Sequence, residues 1–211
     1  MSSGGDNVDA SGYAHKTSKS GHHHPYLRPT VLRELAGRNR IFDLGCGNGS
    51  FASVLNQYGF DVTGVDPSLE EIAEARKAYP SLKLHSGSAY DNLAALYGEF
   101  DAMISLEVIE HIYDPRSYAR TLFSLVKPEG IAIVSTPYHG YIKNVAIALS
   151  GAWDRHHTVL WPHGHIKFWS IATLSTLLSE AGFIQLRFER IGRIIPSLAK
   201  SMVAVASTPL D

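Results

Sequence analysis

One cysteine, Cys46, stands among 211 residues. No internal disulfide can form and no paired-cysteine zinc spacing can be built, which fits a reducing compartment, so a cytoplasmic location is expected. Charge is also scarce: 19 Lys and Arg against 20 Asp and Glu leave a formal net charge of -1. With no overall basic field to hold a polyanion, nucleic acid is disfavoured as a partner. No apolar run approaches the roughly 20 residues of a membrane-spanning helix. Residues 1–20, rich in Gly, Ser, Asp and Lys, lack the apolar stretch of a signal peptide. Hydrophobic residues still make up 45%, which suits one well-filled domain and argues against a disordered chain.

What is present is an alternation of short apolar runs and amphipathic stretches. Apolar runs at 41–44, 61–65, 82–85, 100–105 and 131–135 read as strands. Between them, 51–58 and 69–79 have helical spacing, the second stopped by Pro80. A further helix begins at Asp114-Pro115, an N-cap followed by proline. Strand and helix in turn imply a doubly wound parallel sheet covered on both faces. Ahead of it, 1–37 reads as a flexible segment and a cap helix (30–35, closed by Gly37), and 38–211 as the main domain. His22, His23 and His24 read as a polar turn or an added tag, because adjacent residues rarely converge on one ion. The alternation breaks at 138–165, an insertion after the fifth strand. It resumes with a helix at 171–181 and two terminal strands, 183–189 and 201–206, expected as a closing hairpin or antiparallel edge.

Asp43-Leu44-Gly45-Cys46-Gly47-Asn48-Gly49 sits where the first strand turns into the first helix. Glycines there let the backbone take positive φ and come close to a ligand, in the crevice at the strands' carboxyl ends. The dinucleotide fingerprint G-x-G-x-x-G ends here in Ser50, and no Lys-Ser/Thr pair follows, which excludes a P-loop. Asp66 ends the second strand, where a carboxylate can accept from both hydroxyls of a ribose; capping of the helix after Pro67 is the plainer role.

These motifs, DLGCGNG and GVDPS, resemble the first two of the class I S-adenosylmethionine-dependent methyltransferases, over roughly residues 41–182. The resemblance implies a Rossmann-like seven-stranded sheet with a reversed last strand. It also implies S-adenosylmethionine as cofactor: backbone at Gly45, Cys46 and Gly47 on the methionine part, Asp43 orienting its amino group, Asp66 and Pro67 at the ribose, and Ser88, Ala89 and Leu106 at the adenine. The family's acidic residue after the third strand is replaced by Ser88-Ala89, with Asp91 displaced.

Leu106-Glu107-Val108-Ile109-Glu110-His111 resembles a segment of two branches of that superfamily, the ubiquinone-pathway O-methyltransferases and the small-RNA 2′-O-methyltransferases. In a helix, Glu107, Glu110 and His111 share one face, and carboxylates with imidazole suit Mg²⁺ or Mn²⁺. Gly164-His165-Ile166-Lys167-Phe168-Trp169 resembles the segment carrying the distant fourth ligand, which makes His165 the candidate. Ion pairing under the cofactor is the alternative, with His111 or His165 then serving as base. Tyr138, His139, Tyr141, Trp153, His156, His157, Trp161 and His163 fill the insertion, as a lid over a flat substrate. Packing of Val145, Ile147, Ala148 and Leu149 as a buried helix side, or peripheral membrane contact with little basic charge beyond Lys143 and Arg155, are the other readings. The leading expectation is methylation of a phenolic or other hydroxylated small molecule. N- or C-methylation, RNA 2′-O-methylation and a non-catalytic cofactor sensor or partner subunit are the alternatives.

Overall fold

The computed structural model describes residues 24–157, 160 and 164–210; His22, His23, Trp161 and His163 lie outside them. In chain order the elements are α1 (His24–Glu34), β1 (Arg40–Leu44), α2 (Ser50–Gln57), β2 (Asp61–Asp66), α3 (Leu69–Ala78), β3 (Lys83–Ser86), α4 (Leu93–Tyr97), β4 (Phe100–Leu106), a 3₁₀ turn (Ile109–His111), α5 (Pro115–Ser124), β5 (Val126–Pro137), α6 (Tyr141–Leu149), α7 (Trp153–His157), α8 (Ile171–Glu180), β6 (Ile184–Ile191), a second 3₁₀ turn (Pro196–Leu198) and β7 (Ser201–Ser207).

The strands form one sheet in the order β3-β2-β1-β4-β5-β7-β6. The first five run parallel, and β7 pairs antiparallel with both β5 and β6. Both terminal strands therefore exist as expected, with the last one reversed and slotted inside the edge. Chain order reverses between β1 and β4, so their carboxyl ends splay apart and open the crevice where ligands bind in such sheets.

Neighbouring residues on the central strands feed opposite faces. Phe42, Met103 and Ala132 join Tyr118, Leu122, Leu174 and Leu178 on the face covered by α5 and α8. Ile41, Ile104 and Ile133 join Leu27, Val31, Phe51, Leu55 and Ile72 on the face covered by α1, α2 and α3. This is why the strands are apolar without alternation: both faces are buried, each large side chain contributing about 1.5–3 kcal/mol.

Helix starts follow side-chain chemistry. Ser68 caps α3 by accepting from the Glu71 amide, Asp114 caps α5 ahead of Pro115, and Ser170 forms a reciprocal box with Thr173 on α8; each cap is worth about 1 kcal/mol. The cap helix is longer than expected, starting at His24 and running through Pro29, because Leu27, Val31 and Leu35 at four-residue spacing bury one stripe. The segment after β5 holds two short helices. Its apolar residues are not the buried side of a helix: α6 has no buried residue, and Leu149 is 85% exposed. Among the described residues no helix is long and apolar enough to cross a membrane.

Candidate active site

The β1–α2 turn is built by backbone bonds and left-handed glycines. The amides of Gly45 and Cys46 both donate to the Val65 carbonyl, at 2.8 and 3.2 Å, pinning the turn to the end of β2. Gly45 has φ +83°, and a Cβ on it would stand 2.4 Å from a Val108 methyl, so the turn lies directly against the loop after β4. Gly47 has φ +49°, yet a Cβ there would meet nothing closer than 3.8 Å; that backbone faces open crevice. The Cys46 side chain points the other way, buried in the core, and burial pushes its thiol up. Only its backbone is available to a ligand.

Asp43 is 3% exposed, and its Oδ2 has no hydrogen-bond partner among the described residues. Burial, and then the charge of Asp66, raises its pKa to about 7. A carboxyl left in that condition is matched by an incoming ammonium, which would favour its charged form. Asp66 accepts the Gly47 amide on Oδ2 and the Ser68 amide on Oδ1, both at 2.9 Å. The helix cap is Ser68, so Asp66 is not needed for that role, and its remaining lone pairs are open to hydroxyl donors. Burial raises its pKa against those two amides. In the β3–α4 loop, Gly87 donates to the Asp66 carbonyl and Ser88 to Asp91 Oδ2, at 3.1 and 2.7 Å. The displaced Asp91 carboxylate thus holds the Ser88-Ala89 loop in place beside Asp66. Leu106 ends β4 nearly buried. Pro67 lies between Asp66 and the cap. These residues fit an adenosine carrying a charged amino acid: an acceptor for its ammonium, one for its sugar, and open backbone between.

The stretch after β4 is not the regular helix that would align Glu107 with Glu110. Glu107 takes φ +56°, a conformation unusual for a residue with a side chain. It is held there by Ser135, whose hydroxyl accepts the Glu107 amide at 3.0 Å and donates to Oε1 at 2.7 Å. Ser201 donates to Oε2 at 3.2 Å, and Tyr26 Oη is 3.2 Å from Ser201 Oγ. Glu107 is therefore engaged by β5 and β7, with α1 reaching it only through Ser201.

The 3₁₀ turn carries Glu110 and His111, and the 164–169 segment is stapled across it. Ile166 and Lys167 donate their amides to the Glu110 carbonyl at 2.9 and 3.0 Å, and Trp169 Nε1 donates to Ile109 O at 3.3 Å. This brings His165 Nε2 to 4.0 Å from Glu110 Oε1 and the two imidazole centroids to 5.0 Å. One ligand atom each from Glu110, His111 and His165 lies within 4.8 Å of the others. Three of the four expected metal ligands converge; Glu107 is not among them. Glu110 is 1% exposed; Thr136 and its own amide favour its charge, but burial dominates and raises its pKa well above the usual range, and Glu107 beside it is raised by burial too. His165 is lowered to about 4 by burial and then by His111, so it is neutral at pH 7, the form that ligates metals. The donor set fits a divalent cation, whose charge would offset the desolvated carboxylate.

Rings of the segment after β5 pack on one another and on Phe168, next to the 164–167 stretch. His139, His157 and Phe168 contact one another, with centroids 4.9–6.1 Å apart, and Trp153 packs on His157 at 4.2 Å. Tyr26, Ser135, Ser201 and an inward-facing Lys143 complete the surroundings. None of the four carries a local motif, though two hydroxyl residues, Ser135 and Thr136, at the end of the apolar run 131–134 are a readable hint.

A family model described as "Methyltransferase domain" matches residues 20–185. The chain is 35% identical over 160 residues to the ubiquinone biosynthesis O-methyltransferase of Azorhizobium caulinodans, covering 72% of this chain and 61% of that one. It thus spans less than two thirds of that relative. A solved Pyrococcus horikoshii protein, PH0226, superposes with a TM-score of 0.68 at 21% identity, covering 90% of this chain and 93% of that one. The solved methyltransferase domain of a bacterial protein, CtHen1-CN, gives a TM-score of 0.63 at 24% identity, covering 85% and 96%.

Proposed function

Because the chain belongs to the methyltransferase-domain family, the class I S-adenosylmethionine-dependent methyltransferases, we propose that it transfers a methyl group to a hydroxyl of a phenolic or otherwise hydroxylated small molecule. The observation that carries this reading is the Glu110, His111 and His165 cluster, set just past a loop that touches the glycine turn.

S-adenosylmethionine, when bound, supplies an electrophilic methyl on a sulfonium, which is already a good leaving group. The chain's task is then to place a nucleophile in line and keep water out. Carbon–sulfur cleavage would accompany carbon–oxygen bond formation, and a group of this chain would have to take the hydroxyl proton. Gly45 and Gly47 would offer backbone to the methionine part, Asp43 would pair with its ammonium, Asp66 would accept from the ribose, and Ser88, Ala89 and Leu106 would border the adenine. A phenol of pKa about 10 needs help to lose its proton near neutrality. Glu110, His111 and His165 would hold a divalent ion, Mg²⁺ or Mn²⁺, supplying Lewis acidity for that loss. Without an ion, His111 or His165 would be the base this cluster offers to the proton.

The relative's name, ubiquinone biosynthesis O-methyltransferase, supports a phenolic acceptor. Tyr141, Ile142 and Leu149 on the outward side of α6, with Ile194 and Ile195, are exposed. That apolar face supports an acceptor with an apolar part, met at times on a lipid surface. The insertion acts as its cover. Purified chain given methyl-labelled S-adenosylmethionine, catechol and Mn²⁺ is expected to yield labelled O-methyl product, with turnover at least about tenfold lower for Glu110→Ala or under chelator. No transfer to catechol or to a panel of phenols would remove the O-methylation reading, and full turnover in excess chelator would remove the metal.

A further inference from the structure

Lys143 is a cation in a place that does not favour one. It lies in the first turn of α6, where the helix dipole disfavours positive charge, and its side chain turns inward and is half-buried. Among the described residues its ammonium makes one hydrogen bond, to the Tyr138 carbonyl at 3.0 Å, and has no carboxylate in ion-pair contact. The charged and titratable groups facing it are Arg193, Glu107, His139, His156 and His165. Arg193 repels it. Glu107 attracts it, but that carboxylate is already held by the hydroxyls of Ser135 and Ser201. The three imidazoles have their pKa values lowered, chiefly by burial, and offer no negative charge.

A desolvated ammonium without a close counter-ion is unfavourable unless something anionic arrives to complete the site. The geometry around Lys143 also limits what can arrive. His139 stands edge-on to Phe168 at 5.1 Å and to His156 at 5.8 Å, a wall of flat rings. His165, close enough to act on the charge of His139, stands 4.0 Å from Glu110. A planar ring could rest on that wall with its hydroxyl toward Glu110, His111 and His165, and a charged substituent toward α6.

We propose that Lys143, at the edge of the wall formed by His139, His156 and Phe168, pairs with a carboxylate on the methyl acceptor, so that the enzyme selects an acidic phenol over a neutral one. This rests on the O-methylation reading and adds the acceptor's charge to it.

The test separates binding from turnover. Binding of 3,4-dihydroxybenzoate and of catechol is measured by calorimetry with S-adenosylhomocysteine present, for the unaltered chain, Lys143→Met and Lys143→Arg. The unaltered chain is expected to bind the acid at least about tenfold more tightly than catechol. Lys143→Met should lose about 10- to 100-fold for the acid and far less for catechol, the range of one charge-assisted contact, and Lys143→Arg should keep most of the preference. Equal binding of the two probes by the unaltered chain, failure to bind the acid, or an equal loss of both in Lys143→Met would overturn the proposal. Absence of methyl transfer to either probe, with the preference for the acid intact, would instead overturn the O-methylation reading.

Discussion

At the scale of single residues, Asp43 links stability to ligand binding. Its pKa is about 7 in the folded chain against 3.8 for an ordinary aspartate. The folded state therefore holds the proton more firmly than the unfolded chain. That contribution is fully present below about pH 4 and is lost as pH rises through about 7. Glu107 and Glu110 are shifted in the same sense. His139 and His165, lowered to about 4, act the other way only up to their ordinary 6.5. With three carboxyls against them, the ligand-free chain should melt at lower temperature at pH 8 than at pH 6. Asp43→Asn removes one of these groups. It is expected to raise the melting temperature of the ligand-free chain at pH 8 by about 4–8 °C, roughly 2 kcal/mol for a chain of this size, to flatten the pH dependence in part, and to weaken S-adenosylmethionine binding. Scanning calorimetry at the two pH values checks it; a lower melting temperature for the variant at pH 8 would show that Asp43 is satisfied in the empty crevice. Glu107 shows the same economy. Its left-handed backbone, unfavourable by about 1–2 kcal/mol, is stabilised by two serines and aims its carboxylate away from the imidazole cluster.

At the scale of elements, α1 and α6 are opposites. α1 buries Leu27, Val31 and Leu35 against the sheet and is tied to β6 by Arg33 with Glu189, Arg187 with Glu34 and Thr30 with Glu189. It is structural cover, and it places Tyr26 against Ser201. No residue of α6 is fully buried, and its exposed apolar residues, Ile142 and Leu149, do not stabilise the fold. Ile142→Ser with Leu149→Ser should therefore shift the melting temperature by less than about 2 °C, since exposed substitutions stay within about 0.5 kcal/mol. The same pair should raise KM for a phenol bearing an alkyl chain more than for catechol. A drop of many degrees would mean that α6 is packed in solution, and equal KM changes for both acceptors would mean that its outward face does not meet the acceptor.

At the scale of the whole molecule, the sheet was legible because its causes are local. Apolar runs such as 41–44 and 131–134 must be buried on both faces, and capped helices such as the one at Asp114-Pro115 force crossovers, so the parallel core and the glycine crevice follow. That Asp43, Gly45, Gly47 and Asp66 gather at this crevice was readable for the same reason, their positions being fixed by one turn and the strand beside it. What could not be read depends on distant partners. Glu107 is diverted by Ser201, 94 positions away in sequence and brought beside it only by the reversed last strand. Lys143 looks like an ordinary helix lysine until the fold turns it back onto the Tyr138 carbonyl, within reach of the charges of His139 and His165. A helix over 145–149 is one of the readings of the sequence, but not its orientation, because α6 leaves Val145, Ala148 and Leu149 exposed instead of packing them inward. The central claim, that the crevice between β1 and β4 grips an adenosine by Asp66 and an amino acid by the glycine turn, is tested most directly by calorimetric titration of S-adenosylmethionine into the unaltered chain and into Asp66→Ala. One site per chain is expected, with affinity about 10- to 100-fold lower in the variant, as loss of hydrogen bonds to a charged acceptor implies. Equal affinity in the two chains, or no binding by the unaltered one, would contradict it.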